Sequence, residues 1–116
     1  MKSLASITEK EIEIIKMALN DSISDMNTEL KQELSPEQKN RLVDFKAKYT
    51  RVFDKLKQSG SIYALTETDL DIVAGGLNDA IDLIEDNLTD DLSEEDVEKF
   101  LAYKNDCQNL IVLLSL

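Results

Sequence analysis

Apolar residues recur along this chain in steps of three and four. One series runs Ile12, Ile15, Leu19, Ile23, Met26, Leu30, Leu34; another runs Leu70, Val73, Leu77, Ile81, Ile84, Leu88, Leu92. That spacing keeps one face of an α-helix apolar over several turns, and it does not fit the two-residue alternation of a half-buried strand. A shorter stripe follows each series: Leu42, Phe45, Tyr49, Val52 and Leu56, then Phe100, Tyr103, Cys107, Leu110 and Leu114. The pattern predicts four helices, near 9–33, 36–57, 67–91 and 94–114.

The expected starts carry capping residues. Thr8 stands three positions before Glu11, and Thr66 three before Asp69, the arrangement of a capping box. Ser35 precedes Pro36, which suits a first helical turn because its missing N–H has no partner there. Ser93 opens the fourth helix in the same way. The turns at Leu34–Ser35 and Leu92–Ser93 are short enough to fold each pair of helices back antiparallel.

The pattern also repeats. Shifted by 58 positions, residues 7–58 align without a gap on residues 65–116, and 13 of the 52 pairs are identical. Leu19–Ile23 (LNDSI) answers to Leu77–Ile81 (LNDAI). This points to an internal duplication joined by a linker at 59–64, the whole of 1–116 forming one domain. The expected fold class is all-α: an antiparallel four-helix bundle made of two tandemly duplicated helical hairpins, docked about a pseudo-twofold axis. A homodimer of this unit, hairpin-swapped or tightly coupled, fits the same pattern.

Charge changes the picture more than bulk composition does. The 116 residues carry 13 basic and 24 acidic side chains, a net charge of −11. Residues 1–64 hold 11 basic and 10 acidic groups; residues 65–116 hold 2 and 14. An acidic second half repels phosphates, so direct nucleic-acid binding is not expected, and a basic protein partner is. No stretch reads as a membrane span or a signal segment, and the single cysteine makes no internal disulfide. The expectation is a cytoplasmic chain.

The usual chemistry is missing. There is no histidine, so the common general base near neutral pH is absent. One cysteine and no histidine leave no zinc set. Gly75-Gly76 lies inside a helical pattern rather than in a phosphate loop, and the acidic run from Asp86 to Asp96 lacks the spacing and glycine of a calcium loop. No catalytic residue, metal or cofactor is expected. Cys107 falls in an apolar stripe and reads as a buried, inert thiol.

What remains are surfaces. On a helical wheel Asp79, Asp82, Asp86 and Asp90 form an outward acidic row on the third helix, either a solvated face or a partner-binding one. Ile14 and Ile72 point away from their stripes, as do Val43 and Leu101; Val112 and Leu116 do so near the C-terminus. They are either covered by the segments around Leu4, Ile7, Ile62 and Tyr63 or form an apolar interface. Gly76 and its counterpart Ala18 fit a close approach of the first and third helices, whereas Gly75 points outward with no packing reason. The second helix is basic, with attraction to the acidic half as the simplest role. Asn20 and Asn78 stand at the stripe's edge as a candidate docking pair, with Asp21 and Asp79 outside them. The leading functional expectation is a non-enzymatic, protein-binding regulator of the inhibitor, antitoxin or immunity type. The rival is a self-associating structural bundle; the third is a bundle holding an apolar ligand.

Overall fold

The computed structural model describes residues 7–114. It places four helices in chain order: α1 (Glu9–Glu29), α2 (Pro36–Ser59), α3 (Glu67–Asn87) and α4 (Glu94–Leu114). A short 3-10 turn, Ile62–Ala64, bridges α2 and α3. The fold is the all-α four-helix arrangement expected from the stripes, with no strand among the described residues. No helix among them is long and apolar enough to cross a membrane.

The caps form as read. Thr8 and Glu11 make a reciprocal capping box, and so do Thr66 and Asp69. Ser35 and Gln38 make a third behind Pro36. Gly60 ends α2 in the left-handed region at φ 63°, where a side chain would be strained.

Two helices stop earlier than their apolar spacing predicts. α1 ends at Glu29 rather than near 33, and α3 at Asn87 rather than near 91. Neither last turn holds a basic residue, while Glu29, Glu33, Asp86, Asp90 and Asp91 crowd the negative ends of the two helix dipoles. Local side chains also compete there: Thr28 Oγ1 donates to the Ser24 carbonyl at 3.2 Å, and Asn87 Nδ2 to that of Leu83 at 2.7 Å. The connections at 30–35 and 88–93 are therefore longer than tight turns.

Helices α1 and α3 form the central diagonal, each packing on all three of the others. Where they cross, Gly76 lets the backbones close in: a Cβ there would lie 2.8 Å from Leu19 Cδ2. Gly75 has a packing reason after all. A Cβ on it would stand 3.0 Å from the Tyr49 hydroxyl, because Tyr49 lies across both glycines.

The core is lopsided. α1 buries residues from Ile12 to Met26 and α3 from Asp69 to Ile84. α2 buries only Tyr49, Val52 and Leu56, and α4 only Cys107 and Leu110, all in their C-terminal halves. Ile62 caps this packed end. At the other end the stripes continue but are not fully covered: Leu30, Leu34, Leu42, Leu88, Leu92 and Phe100 are half-buried and Phe45 is 44% exposed. The bundle is closed beside the linker and open beside the two hairpin connections.

Candidate functional site: an acidic groove at the open end

The first half of α2 stands off the last turns of α1 and α3, leaving a groove of about 410 Å³. Its apolar floor is Met26, Leu42, Phe45 and Leu83, with Tyr49 closing the inner end. Its walls carry five carboxylates: Asp25 and Glu29 from α1, and Asp79, Asp82 and Asp86 from α3. Among the described residues none of the five is paired with a lysine or arginine; the ion pairs lie elsewhere.

A second groove of about 410 Å³ lies on the opposite flank, between α1, α3 and the first half of α4. Each of its lining residues stands 58 positions from a lining residue of the first groove. Phe100 and Tyr103 occupy the places of Leu42 and Phe45, and Ala80 and Ile84 those of Ser22 and Met26. The walls differ. Where the first groove has Glu29, Asp82 and Asp86, the second has Asn87, Ser24 and Thr28. The same scaffold thus carries one groove with five carboxylates and one with two, Asp21 and Asp25, so the fold itself does not require the higher acidity.

Each groove ends on a tyrosine–aspartate bond. Tyr49 Oη donates to Asp79 Oδ2 at 3.0 Å, and Tyr103 Oη to Asp21 Oδ2 at 3.1 Å. Burial pushes the Asp79 carboxyl above its ordinary value; the Tyr49 bond opposes this, and the charges of Asp82 and Asp25 add to it. Burial also raises Asp21, against the pull of Tyr103. Both phenols are pushed up, first by burial and then by the facing carboxylates. The Cys107 thiol is pushed up to about 11, chiefly by burial with Asp106 and Asp21 adding, against the Tyr103 hydrogen bond. A thiol so placed is almost wholly protonated near neutral pH.

The structure redistributes the residues singled out from the sequence. Asp82 and Asp86 are exposed and line the acidic groove. Asp79 does not face outward but is half-buried against Tyr49. Asp90 lies beyond the end of α3, in the 88–93 connection, so the row of four becomes three on the helix and one in the loop. Ile14 and Ile72 form no outward patch: both are half-buried and pack against the core. Val43, Leu101 and Val112 are exposed as expected, at 50%, 46% and 63%. Leu116 and Leu4 lie outside the described residues. Asn20 and Asn78 are exposed and do not dock the hairpins; the neighbouring Asp21 and Asp79 do.

Part of the basic second helix is neutralised within the molecule. Asp69, buried at the start of α3, accepts from Lys55 at 2.6 Å and faces Arg51 at 3.5 Å. Burial disfavours its charge, but the Lys55 hydrogen bond and the Thr66 cap outweigh that and hold its carboxyl below the ordinary value. Sequence reasoning missed Asp25, Glu29 and Phe45 as members of the groove. The readable signal was that Asp25 and Glu29 lie opposite Leu83 and Asn87 in the 58-residue alignment.

Among the described residues no group of His, Cys, Asp and Glu side chains converges closely enough to hold a metal ion. The groove's carboxylates are spread along two helices, an arrangement that meets an extended cationic surface better than a point charge. No protein-family model, curated protein or solved structure matches this chain.

Proposed function

We propose that this chain is a non-enzymatic protein-binding regulator, of the kind that inhibits or neutralises another protein, and that it acts through the open end of the bundle. The observation that carries this reading is the mismatch between stripe and core. The apolar stripes run the length of all four helices, yet α2 and α4 bury theirs only in their C-terminal halves, and Phe45 stays 44% exposed over a groove floor of Met26, Leu42 and Leu83. Half-exposed apolar side chains ringed by polar ones are the usual make-up of a protein-docking surface.

A photo-crosslinking residue in place of Phe45, with one in place of Glu98 on the exposed side of α4 as control, tests the reading in cells that make the protein. The expected result is a discrete adduct with one heavier protein from position 45 and none from position 98. No adduct from position 45, or the same adducts from both, overturns it.

A second reading, self-association, is favoured by Leu101 and Val112, both exposed on α4. It predicts an adduct of twice the chain mass, together with a dimer in sedimentation that Val112→Glu disperses.

A further inference from the structure

The two grooves share size and framework and each has an apolar floor, but their walls differ in charge at three exposed positions. Glu29, Asp82 and Asp86 are exposed, as are their neutral counterparts Asn87, Ser24 and Thr28. None of these side chains is needed to fill the core. The acidic ones also sit where the helices least favour them. α1 and α3 both end at this side of the bundle, so the negative ends of two dipoles add to the carboxylates. This concentration of negative charge opposes folding; the Asp79 carboxyl, raised chiefly by burial, is raised further by the charges of Asp82 and Asp25. A cationic occupant of the groove would relieve it.

The groove is not a bare acidic patch. Its floor is apolar, with Met26 buried, Leu42 and Leu83 half-buried and the Phe45 ring exposed along one edge. Its carboxylates recur at helical intervals, Asp25 and Glu29 on one wall, Asp79, Asp82 and Asp86 on the other. An occupant therefore needs an apolar strip flanked on both sides by cations repeating every three or four residues, which is a basic amphipathic helix. A polyamine or a metal ion would satisfy the walls and leave the floor unused.

We propose that the groove between α1, α2 and α3 seats a basic amphipathic helix of a partner protein, its apolar strip on Phe45 and Leu42 and its lysines or arginines between Asp25 and Glu29 on one side and Asp82 and Asp86 on the other. This deepens the protein-binding reading and rests on it. The groove between α1, α3 and α4 is the built-in control, because it has a comparable apolar floor and only two lining carboxylates, Asp21 and Asp25, in place of five.

The test uses the full chain and a fluorescent peptide of about 18 leucines and lysines, long enough for five helical turns, with leucine confined to one face. A scrambled peptide of the same composition is the comparison. The expected result at physiological salt is binding about tenfold tighter for the patterned peptide than for the scramble. Giving the acidic groove its twin's side chains, as Glu29→Asn/Asp82→Ser/Asp86→Thr, weakens binding by about tenfold or more, whereas the charge-matched Glu94→Gln/Glu95→Gln/Glu98→Gln changes it less than about twofold. The reverse transplant, Ser24→Asp/Thr28→Asp/Asn87→Glu, raises the stoichiometry from one peptide to two. Circular dichroism confirms that the variants, all changed at exposed positions, remain folded.

Equal binding of the scramble, or equal losses from the two charge-matched triples, overturns the proposal and leaves only adsorption of a polycation to an acidic protein. A salt-dependent dimer that Glu29→Asn/Asp82→Ser/Asp86→Thr abolishes overturns it in favour of a second copy of this chain, presenting its own basic α2. The two readings fail separately. If position 45 still crosslinks a partner in the carboxylate-neutral variant, the protein-binding reading stands and the basic helix falls. If position 45 captures nothing, both fall.

Discussion

Tyr49 lies across Gly75 and Gly76 and donates its hydroxyl to Asp79, one turn further along the same helix, at 3.0 Å. The position 58 residues after Tyr49 is Cys107, and those 58 before the two glycines are Met17 and Ala18. The large ring and the two small residues occur together on one flank, and the small thiol and the larger Met17 on the other. On that second flank Tyr103, one turn earlier on α4, makes the bond to Asp21 instead. α2 and α4 are thus each pinned to the helix of the opposite hairpin, by different residues reaching equivalent aspartates.

Tyr49→Phe keeps the ring and deletes the bond. Hydrogen bonds to charged acceptors are worth about 1.5–3 kcal/mol, and the half-exposed Asp79 recovers part of this from water, so a loss of about 1 kcal/mol is expected in denaturant unfolding. The Asp79 carboxyl should also titrate higher than in the wild type, because the bond that lowers it is gone. Carboxyl-carbon NMR measures this directly, and a downward or absent shift would contradict the assignment.

Gly75→Ala should be coupled to that change. Alanine is favoured over glycine inside a helix by about 1 kcal/mol, but the new methyl would stand 3.0 Å from the Tyr49 hydroxyl and displace it. In the wild type the two effects oppose. In Tyr49→Phe the obstruction is absent and the gain appears, giving a coupling energy of about 1 kcal/mol in a double-mutant cycle. Additive free energies would mean that the ring does not confine this glycine. Gly76→Ala should destabilise in either background, since its methyl meets the packed Leu19 at 2.8 Å.

Much of this architecture was legible in the sequence because helical period and capping are local. The stripe from Ile12, the boxes at Thr8 and Thr66, Pro36 behind Ser35, and Ser93 ahead of Glu94 fix element type and all four starts through residues a few positions apart. Helix length was less legible. Leu30, Leu34, Leu88 and Leu92 extend the apolar period beyond the true ends, and only the unfavourable carboxylates at those ends reveal the stop. The groove was least legible. Whether Leu42 and Phe45 are core or rim depends on how far α2 stands off its neighbours, and no local pattern encodes that distance. Gly75 and Asp79 were placed outward for the same reason: a wheel drawn on one helix cannot show that a tyrosine of another lies over it.

The pH dependence of stability should have two limbs of opposite sign. Asp69 is held below its ordinary 3.8, so its contribution is complete above that value and is lost as pH falls through the depressed folded value. Asp79 and Asp21 are raised, so their contribution is complete below 3.8 and is lost as pH rises through their elevated folded values. Stability should therefore increase on mild acidification from neutrality and fall again below about pH 4. Melting temperatures across pH 2–7 should show Asp79→Asn flattening the upper limb and Asp69→Asn flattening the lower one. An unchanged lower limb in Asp69→Asn would separate acid unfolding from the contact that joins the two hairpins.

The open end makes a prediction in which stability and binding part company. Leu56 is fully buried, and Leu56→Ala should cost about 3 kcal/mol, as buried leucines do. Phe45 is a larger side chain on the same stripe, yet it is 44% exposed and its ring meets Lys48 at 5.7 Å, a surface cation–π contact of about 0.5 kcal/mol. Phe45→Ala should therefore cost only about 1 kcal/mol, well below the 3–5 kcal/mol of a core phenylalanine. Amide exchange should divide α2 in the same place, fast through its exposed first half and slow from Tyr49 onward, since local opening follows burial. A residue that contributes little to the fold while standing over a groove of unpaired carboxylates should weaken peptide binding more than it weakens the bundle. If Phe45→Ala unfolds the chain as readily as Leu56→Ala, the first half of α2 is core, and the groove is closed in solution.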